Sequence, residues 1–172
     1  LMSRTQKTDG TSRCLAQIGN IKRQSLSTSL LNDEDFDNPE THYGKNKNIQ
    51  FLGKKTFVEI TPYLKECLCT TVPSEWYDNF PNSLIESYAF KKAVIATDFG
   101  SLQYMVKDGV TGLKFKYADI EDFREKISWM FEHQEDAKKM GEYGYKLIET
   151  AYSPEAHYKT LIQLFEKVVN NK

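Results

Sequence analysis

The chain has 172 residues, 40% of them hydrophobic and 13% aromatic, which is ample for a packed core and excludes global disorder. Its 23 basic and 24 acidic residues leave a formal charge of −1, so no strong overall field favours nucleic acid or an anionic membrane. No apolar run approaches the roughly 20 residues that span a bilayer.

The stretch Leu1–Ser12 is polar and reads as a tail, with no leader pattern, and a start at Leu1 suggests an excerpt from something longer. Cys14-Leu-Ala-Gln-Ile-Gly19 predicts a short strand closed by a glycine turn. Residues 25–48, rich in Ser, Asn, Asp and Lys, read as a loop or weakly ordered connector. Regular patterning begins at Asn48. Ile49-Gln-Phe-Leu-Gly53 predicts a strand, and 57–66 a short helix with a restart at Thr61-Pro62. Cys67–Val72 is a β-rich run ended by Pro73. Asn82–Phe90 carries Leu84, Ile85, Tyr88 and Ala89 at helical spacing. Ala93–Thr97 reads as a buried strand, Leu102–Val106 as a helical turn, Asp108-Gly109 as a turn and Gly112–Phe115 as a last strand.

Three helices should follow. Asp119 is placed to cap the first, with Ile120, Phe123, Ile127, Met130 and Phe131 as its apolar stripe. The second covers about 135–150. The third starts at Ser153-Pro154, with Leu161, Ile162, Phe165, Val168 and Val169 as its stripe. Strands alternating with helices, the strands short and apolar, predict an α/β fold with a parallel sheet covered on both faces. Ligands of such sheets sit at the carboxyl ends of strands, which directs attention to the turns after Gly53, Val72 and Thr97.

Cys14, Cys67 and Cys69 make an odd count. Cys67 and Cys69 are expected as neighbours on one strand face, reduced core thiols of a cytosolic protein. His42, His133 and His157 are scattered, and no Cys/His spacing suggests a metal.

The segment from Pro73 to Glu86 runs from a strand end through a loop into a helix. A helix start presents unbonded amides and a positive dipole, which suits phosphate. Asn82, Ser83 and Leu84 would supply those amides. Glu86, one turn further in, could accept bonds from two ribose hydroxyls, and Asp78 in the loop could meet a sugar hydroxyl. From spacing alone, both acids read as ordinary solvated surface groups.

Pro73-Ser74, Asn79-Phe-Pro-Asn-Ser-Leu-Ile-Glu86, Ala93-Val-Ile-Ala-Thr97-Asp98, Gly100-Ser101 and Asp108-Gly109-Val-Thr-Gly112-Leu113, taken together, resemble the carboxy-terminal domain of family 4 glycosyltransferases (glycosyl transferases group 1). The resemblance covers about 48–170. It implies a retaining enzyme of GT-B fold, this chain being its Rossmann-like donor-binding half: 1–47 as tail and shortened first βα unit, 48–172 as the nucleotide-sugar domain with its C-terminal helices. The family carries two glutamates separated by seven residues. The second matches Glu86, implied to hold the donor ribose; the first matches Asp78, a shorter acid. Asn82 and Ser83 match the diphosphate-binding amides, Gly53 and Lys54 the loop beside the base, and Gly100 and Ser101 the glycine turn. The family's arginine and lysine on the first turn fall at Asn20 and Ser25 here; Lys22 and Arg23 between them serve the diphosphate in a shifted register, or are solvated charges. Tyr104 stands where glutamate is common.

Trp76 and Tyr77 are read either as stacking on sugar or as loop packing, Trp129 as packing, and Lys91 and Lys92 as solvated. The resemblance implies no protein nucleophile, no cofactor and no metal, with the nucleotide-sugar as substrate. It further implies a cytoplasmic location, with or without association at the inner membrane face, in surface polysaccharide or glycolipid assembly. The acceptor, a sugar or glycolipid, would need an N-terminal domain absent from this chain, so the chain alone is expected to bind nucleotide without transferring sugar. Two other readings remain at this point: an epimerase on the same scaffold, and a non-catalytic or decayed module kept for protein contacts.

Overall fold

Ala93-Val-Ile-Ala-Thr97 has no side chain before its last that calls for water, and it forms an inner strand of the sheet, buried at every position. The structure, a computed structural model, describes residues 16–18, 52, 55–75, 77 and 79–170. Its strands are β1 (Ala16–Ile18), β2 (Cys69–Val72), β3 (Ala93–Thr97) and β4 (Gly112–Phe115), in the order β1-β2-β3-β4. Strands β2, β3 and β4 are parallel, with Val72 opposite Ala96 and Thr97 opposite Phe115. Their carboxyl ends therefore finish nearly level, and the following loops leave from one edge. Strand β1 pairs antiparallel with β2, Ala16 opposite Thr71, which departs from the all-parallel expectation. An edge strand satisfies only one neighbour, so either direction closes the ladder.

Helices α1 (Phe57–Glu66), α2 (Asn82–Ala89), α3 (Leu102–Met105), α4 (Ile120–Glu132), α5 (Gln134–Glu149) and α6 (Pro154–Asn170) complete the described fold. The two-residue period of the strands sends alternate side chains to opposite faces. Ala93, Ile95, Leu113 and Phe115 pack with Phe123 and Met130 of α4 and Ala137 and Met140 of α5. Val72, Val94 and Ala96 pack on the other face with Leu84 and Tyr88 of α2 and with Leu102 and Met105 of α3. Leu147 and Ile148 of α5 join this second cluster, so one helix serves both faces. Helix α5 approaches α2 closely at two glycines. A Cβ on Gly141 would overlap the Lys91 carbonyl, and one on Gly144 would overlap the Tyr88 ring.

Local chemistry accounts for most boundaries. Thr56 and Glu59 close α1 with a reciprocal capping box, and the Asp119 side chain accepts the Asp122 amide at the start of α4. Ser153 accepts the Ala156 amide at 3.1 Å and caps α6. Helix α2 ends in a Schellman turn, Lys92 N–H to Ser87 C=O and Lys91 N–H to Tyr88 C=O, both 2.9 Å. Lys91 takes the left-handed position, φ 56°, usually given to glycine.

Four expectations are corrected. Thr61-Pro62 is no restart: α1 runs through Pro62. The bond its missing N–H forgoes belongs to the carbonyl of Val58, an 80% exposed residue that water can reach. Cys67 is not on the strand; it caps α1, its N–H bonded to Tyr63 C=O at 2.9 Å, because the chain is still leaving the helix there. Cys67 and Cys69 are buried free thiols, and burial pushes Cys69 up to about 12. Lys92 is not simply solvated, since its ammonium donates to Lys65 C=O at 2.8 Å; Lys91 lies over the Tyr145 ring at 4.9 Å. The α6 stripe forms a helix but no buried face among the described residues, with Phe165 at 55% exposure. The strand expected at 49–53 and the 25–48 connector fall on residues outside the described ones, apart from Leu52.

Candidate functional site

The loops after β2, β3 and β4 converge at one end of the sheet, and the helix that opens there is α2. Pro81 precedes it in extended conformation, φ −69°, and no side chain caps it. Among the described helices of eight residues or more, α2 alone has no acid in its first turn. Its positive end is therefore left to water or a ligand. Three amides were expected to serve. That of Leu84 is already engaged by Pro81 C=O at 3.1 Å, and its side chain is fully buried in the core. Asn82, exposed, and Ser83, half-buried, supply the first two amides of the helix tip.

The position of that tip is fixed by a relay of hydroxyls. Thr70 of β2 donates to Ser87 Oγ at 2.7 Å, and Ser87 donates to Ser83 C=O at 2.6 Å. Both Thr70 and Ser87 are fully buried. The strand thus holds the first turn of the helix whose amides face the strand ends. Neither residue was singled out from sequence. The available signal was a threonine inside an apolar strand and a serine on the inward face of α2, one turn from Ser83.

Glu86 lies on the same helix, half-buried, with its Oε2 withdrawn from solvent. It sits one turn inside the tip, as its spacing predicted.

The second wall is the turn after β3. Gly100 is buried and adopts φ 58°, where a Cβ is disfavoured. Ser101 is the N-cap residue just before α3, and its carbonyl accepts from the amides of Tyr104 and Met105 at 3.1 Å. Ser101 Oγ and Thr97 Oγ1 are buried with no hydrogen-bond partner among the described residues. Lys114 straps this turn, its ammonium 3.0 Å from Asp98 Oδ1 and 3.3 Å from Gln103 C=O. Gln103 in turn donates to Gly100 C=O at 2.9 Å. Tyr104 is 80% exposed and takes no part in the strap.

On the inner side, Tyr88 OH donates to Thr111 Oγ1 at 2.8 Å, and Lys107 N–H donates to the same oxygen at 3.0 Å. Burial raises the Tyr88 phenol well above its usual range, so it stays a neutral donor. Asp78, Gly53, Lys54, Lys22, Arg23 and Trp76 lie outside the described residues. The structure thus places Asn82, Ser83, Leu84 and Glu86 on one helix and Gly100 and Ser101 on the neighbouring strand's turn. No cluster of His, Cys, Asp and Glu suited to a metal ion occurs among the described residues. No described helix is long and apolar enough to cross a membrane.

Known proteins are similar to this chain in sequence or in fold. The sequence model of the family described as glycosyl transferases group 1 matches residues 32–147. An uncharacterized glycosyltransferase of Methanocaldococcus jannaschii is 35% identical over 97 residues, 56% of this chain and 27% of that relative. Sucrose-phosphate synthase from Thermosynechococcus elongatus superposes with TM-score 0.66 at 22% identity, covering 81% of this chain and 35% of its own. Anabaena HepE, solved in complex with UDP-glucose, superposes with TM-score 0.62 at 16% identity, covering 81% and 36%. The chain therefore spans between 27% and 36% of these proteins' own lengths.

Proposed function

The chain belongs to the glycosyl transferases group 1, with the fold of a GT-B half, and from that premise we propose that it is the donor-binding part of a retaining glycosyltransferase. The observation that carries this reading is the tip of α2, uncapped and free of first-turn acid at the carboxyl end of β2. Two amides and a helix dipole there favour a diphosphate. Glu86, one turn inward, accepts from the ribose hydroxyls, and Asp78 meets the transferred sugar. Gly53 and Lys54 border the base, and the turn at Gly100 and Ser101 closes the sugar side. Lys22 and Arg23 add positive charge to the diphosphate. That Anabaena HepE is solved with UDP and with UDP-glucose supports a nucleoside-diphosphate sugar as donor.

In this reading the enzyme's work is electrostatic. The diphosphate leaves with the bonding electrons, and preorganised amides stabilise the charge that develops on it. The acceptor hydroxyl attacks from the same face and loses its proton to the departing phosphate, so configuration is kept. No protein nucleophile, metal or cofactor is required. The acceptor, a sugar or glycolipid, and the cytoplasmic setting belong to the whole protein and are proposed with it.

A second reading, a module kept for protein contacts, is favoured by Asn20 and Ser25 at positions where the family has basic residues. Calorimetric titration with UDP, GDP and ADP separates the two. The donor-site reading predicts saturable binding of at least one nucleotide and at least tenfold weakening in Glu86→Ala, the loss of about 1.4 kcal/mol. Absence of binding to all three, with Glu86→Ala indistinguishable from wild type, overturns it.

A further inference from the structure

Among the described strands, Lys114 is the only charged residue. It stands opposite Ala96, and Gly112 stands opposite Val94, so it shares the sheet face that packs on α2 and α3. A lysine can stand there by laying its methylenes along the sheet and carrying its ammonium to the edge. The Lys114 side chain is 22% exposed, and that of its partner Asp98 47%. A partly exposed ion pair adds less to stability than an apolar side chain buried in its place would. The charge is therefore better explained by what it holds.

What it holds is the turn between β3 and α3. The ammonium lies 3.0 Å from Asp98 Oδ1, at the start of the turn, and donates to Gln103 C=O at 3.3 Å, past its end. The Gln103 side chain closes the circuit by donating to Gly100 C=O at 2.9 Å. Lys114 is itself anchored, its amide donating to Asp108 Oδ1 at 2.8 Å. The hydroxyls at the two ends of the turn, Thr97 Oγ1 and Ser101 Oγ, have no hydrogen-bond partner among the described residues, so they do not brace it. Gly100 holds φ 58° between them, a conformation that glycine permits without enforcing. The ammonium is thus the tie that joins both ends of the turn to β4.

We propose that Lys114 is a positioning residue for the sugar of the donor: it acts through Asp98 and Gln103 to fix the turn at Gly100 and Ser101. This rests on the donor-site reading above, in which that turn closes the sugar side. The strap then serves the gain in affinity that the sugar adds to the nucleoside diphosphate, and serves the diphosphate itself much less.

The test is calorimetric titration of the 172-residue chain and its variants with UDP, GDP and ADP, and with UDP-glucose, UDP-N-acetylglucosamine, GDP-mannose and ADP-glucose. The wild-type chain should bind at least one of these sugars more tightly than its parent diphosphate. Lys114→Met keeps the apolar stem and removes the ammonium; Asp98→Asn removes the opposite charge. Each should cut the sugar's gain roughly three- to fivefold, with a smaller effect on the diphosphate, and Lys114→Arg should retain most of the gain. The two losses discriminate, because a cation acting only by attracting phosphate would make Lys114→Met weaken binding and Asp98→Asn strengthen it. Urea unfolding of each variant checks that the fold is kept. The proposal is overturned if the two variants move the gain in opposite directions, if diphosphate and sugar conjugate weaken by the same factor, or if the sugar adds nothing to wild-type binding. Nucleotide binding with an unaltered sugar gain in both variants overturns the strap alone. Absence of binding to every nucleotide removes the donor site, and the strap's role with it.

Discussion

The relay from Thr70 through Ser87 to Ser83 sets a quantitative expectation for stability. In Ser87→Ala the Thr70 hydroxyl, fully buried, loses its 2.7 Å partner, and Ser83 C=O loses a 2.6 Å donor. Stranding a buried hydroxyl costs about 1–3 kcal/mol, so a loss of about 2 kcal/mol is expected. In Thr70→Val, Ser87 still donates to Ser83 and only an acceptor lone pair goes unused; about 1 kcal/mol is expected. The double variant leaves no stranded hydroxyl, so its cost should fall below the sum by about 1 kcal/mol. Urea unfolding of the four proteins measures this, with m unchanged across the set. Nucleotide affinity should fall with Ser87→Ala, because Ser83 sits in the turn that presents the amides. Strict additivity of the two single changes would refute the relay.

Other consequences follow from the packing and the caps. Gly141→Ala should destabilise by about 1–3 kcal/mol, because its Cβ overlaps the Lys91 carbonyl, a backbone atom that cannot step aside; a rise in the urea midpoint would contradict the close approach of α5 to α2. Lys91→Gly should stabilise by up to about 1 kcal/mol by relieving φ 56° at the Schellman position, less whatever the Tyr145 contact contributes, and the same unfolding assay reads it. Asp122 accepts the Lys116 amide at 2.8 Å, chiefly for which its pKa lies below the ordinary 3.8. A depressed folded-state pKa gives stability that is present above 3.8 and is lost as pH falls through the folded value. Asp122→Asn should therefore cost about 1 kcal/mol at neutral pH, and its gap to wild type should close only in acid below 3.8; a gap that closed near pH 7 would refute the assignment.

The sheet was legible because its strands are short apolar runs bounded by turn residues, and Ala93–Thr97 and Gly112–Phe115 form as expected. Asp119 and Ser153 announced their helices through their own hydrogen-bonding capacity. The Thr61-Pro62 boundary misled because proline is tolerated where the orphaned carbonyl meets water. Cys67 misled because a helix cap and a strand residue look alike in an apolar run. The α6 stripe showed its period but not its neighbour, since amphipathicity does not specify what covers a face. At the site, local spacing gave the start of α2 and the place of Glu86 one turn inside it, while the role proposed for Glu86 came from the family resemblance. The Thr70–Ser87 bond and the Lys114 strap could not be read there, because each joins separate elements that only the closed sheet brings together.

The account turns on whether the first turn of α2 receives a diphosphate. Backbone amide NMR during titration with UDP, GDP or ADP examines it residue by residue. The account predicts that the Asn82 and Ser83 amides show the largest shifts, moving together with Glu86 and with the turn at Gly100. Saturable nucleotide binding that leaves Asn82 and Ser83 unmoved, with its shifts gathered elsewhere on the chain, would contradict it.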